Sequence, residues 1–220
     1  MTDLGDLGPL AQLRAGRLTR RLVQLMVGLW FFGSALGMII GSGLGQGPWD
    51  VFHYGVAQHV PLTIGTVSIL TGTLLLLLWI PLAEKPGIAT VLNVVVVGVA
   101  IDVTLFLLPP DPPLAGRIAL LVGGILLNGL GSAMYIGCRL GTGPRDGLMT
   151  GISRKTGWSF RTVRTGIELT ALAVGWLLGG IVGIGTVLYA LLIGPLTQAF
   201  LPRWTVDLAP GPARTEPSDG

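Results

Sequence analysis

Six stretches of the chain are almost wholly apolar, and short segments that hold most of the charge separate them. They cover residues 22–41, 66–82, 90–108, 117–137, 162–180 and 184–201. Each is close to the roughly 20 residues that one bilayer crossing needs, which predicts six membrane-spanning helices. Residues 47–61 and 143–157 are too polar or too short to cross. Each opens on Gly-Pro, a pairing that starts helices, and predicts a short extra helix after the first span of each half.

Sliding the sequence against itself by 96 residues brings Gly41-Ser-Gly-Leu-Gly-Gln-Gly-Pro-Trp-Asp50 onto Gly137-Cys-Arg-Leu-Gly-Thr-Gly-Pro-Arg-Asp146, with six of ten positions identical. The same shift aligns Gly87-Ile-Ala-Thr-Val-Leu92 with Gly183-Ile-Gly-Thr-Val-Leu188. Leucine-rich spans match one another cheaply, but that does not supply shared glycine, proline and aspartate at one unbroken offset. Three spans per copy make the second copy enter the bilayer from the opposite face. The expected fold is an all-α polytopic membrane protein of two inverted three-helix repeats. Residues 22–108 form the first, 117–204 the second, 1–21 a cytoplasmic N-terminal segment and 205–220 a disordered cytoplasmic tail.

Charge fixes the expected orientation. With the N-terminus inside, 13 of the 14 basic residues fall on the cytoplasmic side and only Arg117 on the other; the positive-inside rule therefore places both termini in the cytoplasm of a bacterial inner membrane. Half of the residues are apolar and 11% are charged, against about 25% in soluble domains. That excludes an ordinary water-soluble enzyme, and the net charge of +3 reports topology rather than nucleic-acid binding. His53 and His59 are six apart and no second cysteine joins Cys138, so no metal, cofactor or catalytic set is expected.

In Gly47-Pro48-Trp49-Asp50 and Gly143-Pro144-Arg145-Asp146 the glycine permits a cap, the proline suits the first helical position and the aspartate complements the positive helix end. The same terminus attracts an anion in broken transporter helices, a field these aspartates partly cancel. Acids inside spans are costly unless paired or hydrated. Asp102 and Glu168 therefore join Asp50 and Asp146 as candidates for a substrate or proton pathway, with Asn93 and Asn128 as polar lining. The basic stretch Arg145, Arg154, Lys155, Arg161 and Arg164 meets the charge requirement of the inner face and also suits anionic lipid or a cytoplasmic protein partner. Gly33, Gly37 and Gly41 form a packing ladder, echoed by Gly129, Ala133 and Gly137.

The segments Leu44-Gly45-Gln46-Gly47-Pro48-Trp49-Asp50, Gly141 to Leu148 and Gly183 to Leu188, in a duplicated chain of this size, resemble the bacterial YczE group of integral membrane proteins, related to the YitT and YyaS groups. The likeness spans residues 22–201 and implies a multi-pass membrane protein without assigning catalytic or binding residues. Two functions fit these features. One is secondary transport or export of a small solute through a site between the repeats. The other is a membrane accessory or regulatory protein that recruits a cytoplasmic partner through the basic stretch.

Overall fold

The computed structural model describes residues 16–207, which hold eight α-helices. They are α1 (Leu18–Ser42), α2 (Pro48–Ala57), α3 (Ile64–Leu82), α4 (Ile88–Leu107), α5 (Leu114–Gly137), α6 (Pro144–Thr156), α7 (Phe160–Leu177) and α8 (Ile184–Trp204). Most of the expected N-terminal segment (1–15) and of the expected tail (208–220) lies outside the described residues. The two short helices stand where the Gly-Pro motifs predict them. α1 starts at Leu18, ahead of the apolar run, because Arg20 and Arg21 belong to its first turns.

Five helices, α1, α3, α4, α5 and α8, are long and apolar enough to cross a membrane. α7, expected as a sixth span, differs by composition: its 18 residues include Arg161, Arg164 and Glu168. The outward faces are apolar, with Leu74, Leu77, Leu126, Val187 and Leu191 exposed, Ile80 74% exposed and Phe106 88% exposed. Water does not tolerate so large an apolar surface, and a bilayer does. This is a multi-pass membrane protein whose helices contact lipid.

The α1–α5 pair forms the centre of the molecule. A methyl group on Gly28 would strike Met134 and the Tyr135 amide; one on Gly124 would strike Ile39 and the Ala35 carbonyl. The two backbones thus approach closely, and the beginning of each helix lies beside the end of the other. Arg21 donates to the carbonyls of Cys138 and Arg139, at 2.8 Å each. Arg117 donates to those of Ser42 at 2.6 Å and Gly43 at 2.9 Å. Each arginine therefore satisfies carbonyls that a helix end leaves without intrahelical partners.

The glycine ladders turn away from this seam. Gly33 and Gly37 admit Val97, Ala100 and Thr104 of α4; Gly129 and Gly137 admit Leu196 of α8 and the Trp204 carbonyl. The loops repeat one another at the 96-residue offset: the Ala89 amide donates to the Leu140 carbonyl at 3.1 Å, and the Gly185 amide to the Leu44 carbonyl at 2.8 Å.

Outside the centre, α2 packs on α7 and α6 on α3. Close approach in the first pair comes from Gly175 against Val51 and Phe52, and in the second from Gly147 against the Trp79 ring. The Trp79 indole also donates to the Pro144 carbonyl at 2.9 Å. α3 and α4 are sealed together where Gly65 meets Gly98. No comparable seam joins α7 to α8.

Candidate functional site

Both Gly-Pro helix starts open onto one cavity of about 350 Å³, walled by residues of all eight helices. Pro48 and Pro144 occupy the first helical positions, and Asp50 and Asp146 stand in the first turns. Glycine precedes each proline because an aromatic side chain fills the adjoining space. A methyl on Gly47 would lie 2.9 Å from the Tyr189 ring, and one on Gly143 would lie 3.0 Å from the Tyr135 hydroxyl.

Of the acids and amides singled out in the sequence, Asp50, Asp146, Glu168 and Asn93 line this cavity. Asp102 and Asn128 do not. Asp102 accepts the Thr63 hydroxyl at 2.5 Å and the Gly65 amide at 2.8 Å, so it closes the N-terminal end of α3 onto α4. An acid at a helix start is held there by unpaired amides and the helix dipole, and its depth along the span gives no hint of that partner. Asn128 is fully buried; it donates to the Phe32 carbonyl and accepts the Tyr189 hydroxyl, both at 3.4 Å. It supports a wall residue from behind.

The basic stretch divides. The Arg145 guanidinium lies 4.9 Å from the centre of the Trp49 ring, within cation–π range. The Arg164 Nε stands 3.0 Å from Glu168 Oε1, and both arginines face the cavity. Arg154 pairs with Glu84 at 3.1 Å and donates to the Leu82 carbonyl at 2.8 Å. Lys155 and Arg161 lie on the exposed surface.

Sequence reasoning missed Trp49, His53, Tyr135 and Tyr189, which also line the cavity. His53 drops out of any metal set, yet its spacing of three from Asp50 and four from Trp49 puts all three on one face of α2. That spacing was the available signal. His53 is fully buried, and neither ring nitrogen has a hydrogen-bond partner among the described residues. Burial pushes its imidazole below the usual range; Asp50 opposes this and Arg145 adds to it. Asp146 keeps its side chain open to the cavity. The surrounding protein nevertheless pushes its carboxyl up, against the pull of Arg164 and Arg145.

A second hollow of about 300 Å³ lies between α2 and α7, lined by Trp49, Phe52, Gly166, Ile167, Thr170, Ala171 and Val174. Its walls are apolar apart from one threonine. Trp49 borders both spaces.

Residues 19–202 match the model of the "Family of unknown function (DUF6198)". An "Uncharacterized protein" of Haemophilus influenzae is 41% identical over 177 residues, covering 80% of this chain and 81% of that one. The "Uncharacterized membrane protein YczE" of Bacillus subtilis is 42% identical over 173 residues, or 78% and 80% of the two chains. The "Uncharacterized protein YyaS" of the same organism is 28% identical over 180 residues, or 80% and 90%. No solved structure matches. The resemblance read from the Gly-Pro motifs and the duplication is thus a true kinship, and the chain belongs to the DUF6198 family of YczE-type membrane proteins.

Proposed function

We propose that this protein is a secondary transporter or exporter of a small solute in the bacterial cytoplasmic membrane. In this reading α7 is the sixth span, because its second half carries the exposed apolar residues Leu169, Trp176 and Leu177 while its three charges lie in the first half. At 1.5 Å per residue its 18 residues reach about 27 Å, close to the thickness of the hydrocarbon core. The two halves are inverted repeats with both termini inside. Arg21 and Arg117, equivalent at the 96-residue offset, support this by serving opposite ends of α1 and α5.

The observation that carries the proposal is the unequal state of equivalent parts around one polar cavity. In the first half Asp102 and the Gly65–Gly98 contact seal α3 to α4. In the second, Gly194, the equivalent of Gly98, has no atom within 4 Å of where a side chain would begin. Gln198, the equivalent of Asp102, lines the cavity instead. A cavity shut on one side and loose on the other is what alternating access requires. With the termini inside, the loose side faces the cytoplasm, and Asp146 and Glu168 are placed to carry a proton in exchange.

Proteoliposome flux under an imposed proton gradient tests this, with cysteines at Ser68 and Thr197 labelled from either side. Reciprocal changes in labelling, together with flux that Glu168→Gln abolishes, support transport. Partner capture through Lys155 and Arg161, lost on charge reversal, with no flux and fixed labelling, supports the accessory role. Arg145, Arg154 and Arg164 are engaged within the protein, which leaves Lys155 and Arg161 of that stretch for a partner.

A further inference from the structure

We infer that the cavity is a site for a compact organic monocation, a protonated amine whose ammonium bridges Asp50 Oδ1 and His53 Nδ1. Asp50 is 3% exposed, and its Oδ1 atom has neither water access nor a hydrogen-bond partner among the described residues. The two atoms stand 3.8 Å apart, too far for a hydrogen bond with each other. A buried polar atom left without a partner bears its desolvation penalty uncompensated. Both residues line one open cavity, and these two atoms lie just behind its surface without a partner, which marks a place where a partner belongs.

Charge selects the partner. Arg145 and Arg164 bring two positive charges to the cavity, and Asp146 and Glu168 bring two negative ones. Arg164 lies against Glu168 and Arg145 lies on Trp49, which leaves the Asp50 carboxylate without a cation of its own. A single nitrogen at about 2.9 Å from each acceptor fits across a 3.8 Å gap and donates to both. The neutral imidazole that burial favours presents a lone pair for the second of these bonds. A nitrogen acceptor also favours an N–H donor over a hard alkali cation, which prefers oxygen. Trp49 and Tyr189, which also line the cavity, supply apolar area for the body of the amine.

The inference rests on the reading that solute enters this cavity, but binding tests it without flux. The probe is benzylammonium, with benzoate and benzyl alcohol as anionic and neutral counterparts. Each is titrated calorimetrically into the full chain in lipid nanodiscs, with empty nanodiscs as the blank. The expected result is saturable binding of benzylammonium at one site per chain, weakened roughly tenfold or more by Asp50→Asn, with benzoate silent. Arg154→Gln, remote from the cavity, leaves the binding unchanged. Should Asp50→Asn fail to fold, His53→Lys provides a second arm: its own ammonium occupies the gap and displaces the probe, while helical circular dichroism stays native. Equal binding of benzoate, binding indifferent to both variants, or no saturable binding to folded wild-type protein overturns the inference. Proton-driven flux of a non-amine solute with no amine binding overturns it alone and leaves transport standing; amine binding without flux or reciprocal labelling overturns transport alone.

Discussion

Arg21 and Arg117 hold each other's helices: Arg21, in the first turns of α1, caps the end of α5, and Arg117, in the first turns of α5, caps the end of α1. Two guanidinium groups, each with two carbonyls, clamp the central pair at both ends. The fork of an arginine reaches two acceptors at once, whereas a lysine is a single point charge.

Arg117→Met therefore lowers stability by about 2 kcal/mol, in the range of hydrogen bonds to charged groups, and Arg117→Lys recovers less than half. Arg21→Met costs more, because Arg21 is fully buried. Unfolding of the micelle-embedded protein, followed by helical circular dichroism, measures each loss. Equal stability of wild type and Arg117→Met contradicts the clamp.

Breaking the Asp102 contact unseals α3 from α4. Asp102→Asn keeps size but weakens acceptance of the Thr63 hydroxyl and Gly65 amide. Ser68→Cys, 8% exposed on the cavity wall, is expected to react with an impermeant maleimide several-fold faster in the Asp102→Asn background. An unchanged rate removes Asp102 from the role of a latch.

Gly98 and Gly194 respond oppositely to a methyl group. At Gly98 it collides with Ile69 and the Gly65 carbonyl, while at Gly194 it meets open space. Gly194→Ala, relieved of glycine's backbone entropy, raises stability or leaves it level by up to about 1 kcal/mol. Gly98→Ala lowers it by roughly 1–3 kcal/mol, as overpacking does. Thermal melts of the two variants side by side decide. If α7 closes on α8 during transport, Gly194→Leu folds normally and carries no flux.

His53 gives stability an acid limit. Its folded-state imidazole titrates below the ordinary histidine value of 6.5 because burial disfavours the charged form. Above the unfolded value His53 is neutral in both states and makes no pH-dependent contribution; as pH falls below it, the unfolded chain takes up a proton that the folded chain resists. Stability therefore declines from about pH 7 downward and continues to decline until the folded-state value is passed. Replacing His53 by Gln flattens that limb, and melts taken between about pH 8 and pH 5 should reveal the difference. Asp146 has the opposite sign: its raised carboxyl favours the fold at acid pH and loses that contribution as pH rises.

The helices and their boundaries were legible because an apolar run of bilayer length permits little else, and the Gly-Pro starts told where the short helices begin. Pairings between helices were not. Arg21 reads in sequence as one more inside charge, and only the folded α5 reveals its target. Asp102 reads as a membrane-buried acid awaiting an ion, yet the amide of Gly65 had already claimed it. Glu168 and Asp50 look alike in sequence; one meets Arg164, while the other leaves its Oδ1 without a hydrogen-bond partner among the described residues. The shared offset of Arg21 and Arg117 was a usable clue, since equivalent arginines flanking equivalent spans imply equivalent duties.

Trp49 borders the polar cavity on one side and the apolar hollow between α2 and α7 on the other. Its indole is the side chain that the linings of the two spaces share. Trimming it to alanine would remove that shared wall, so the apolar hollow and the polar cavity would no longer present separate surfaces to whatever enters either one.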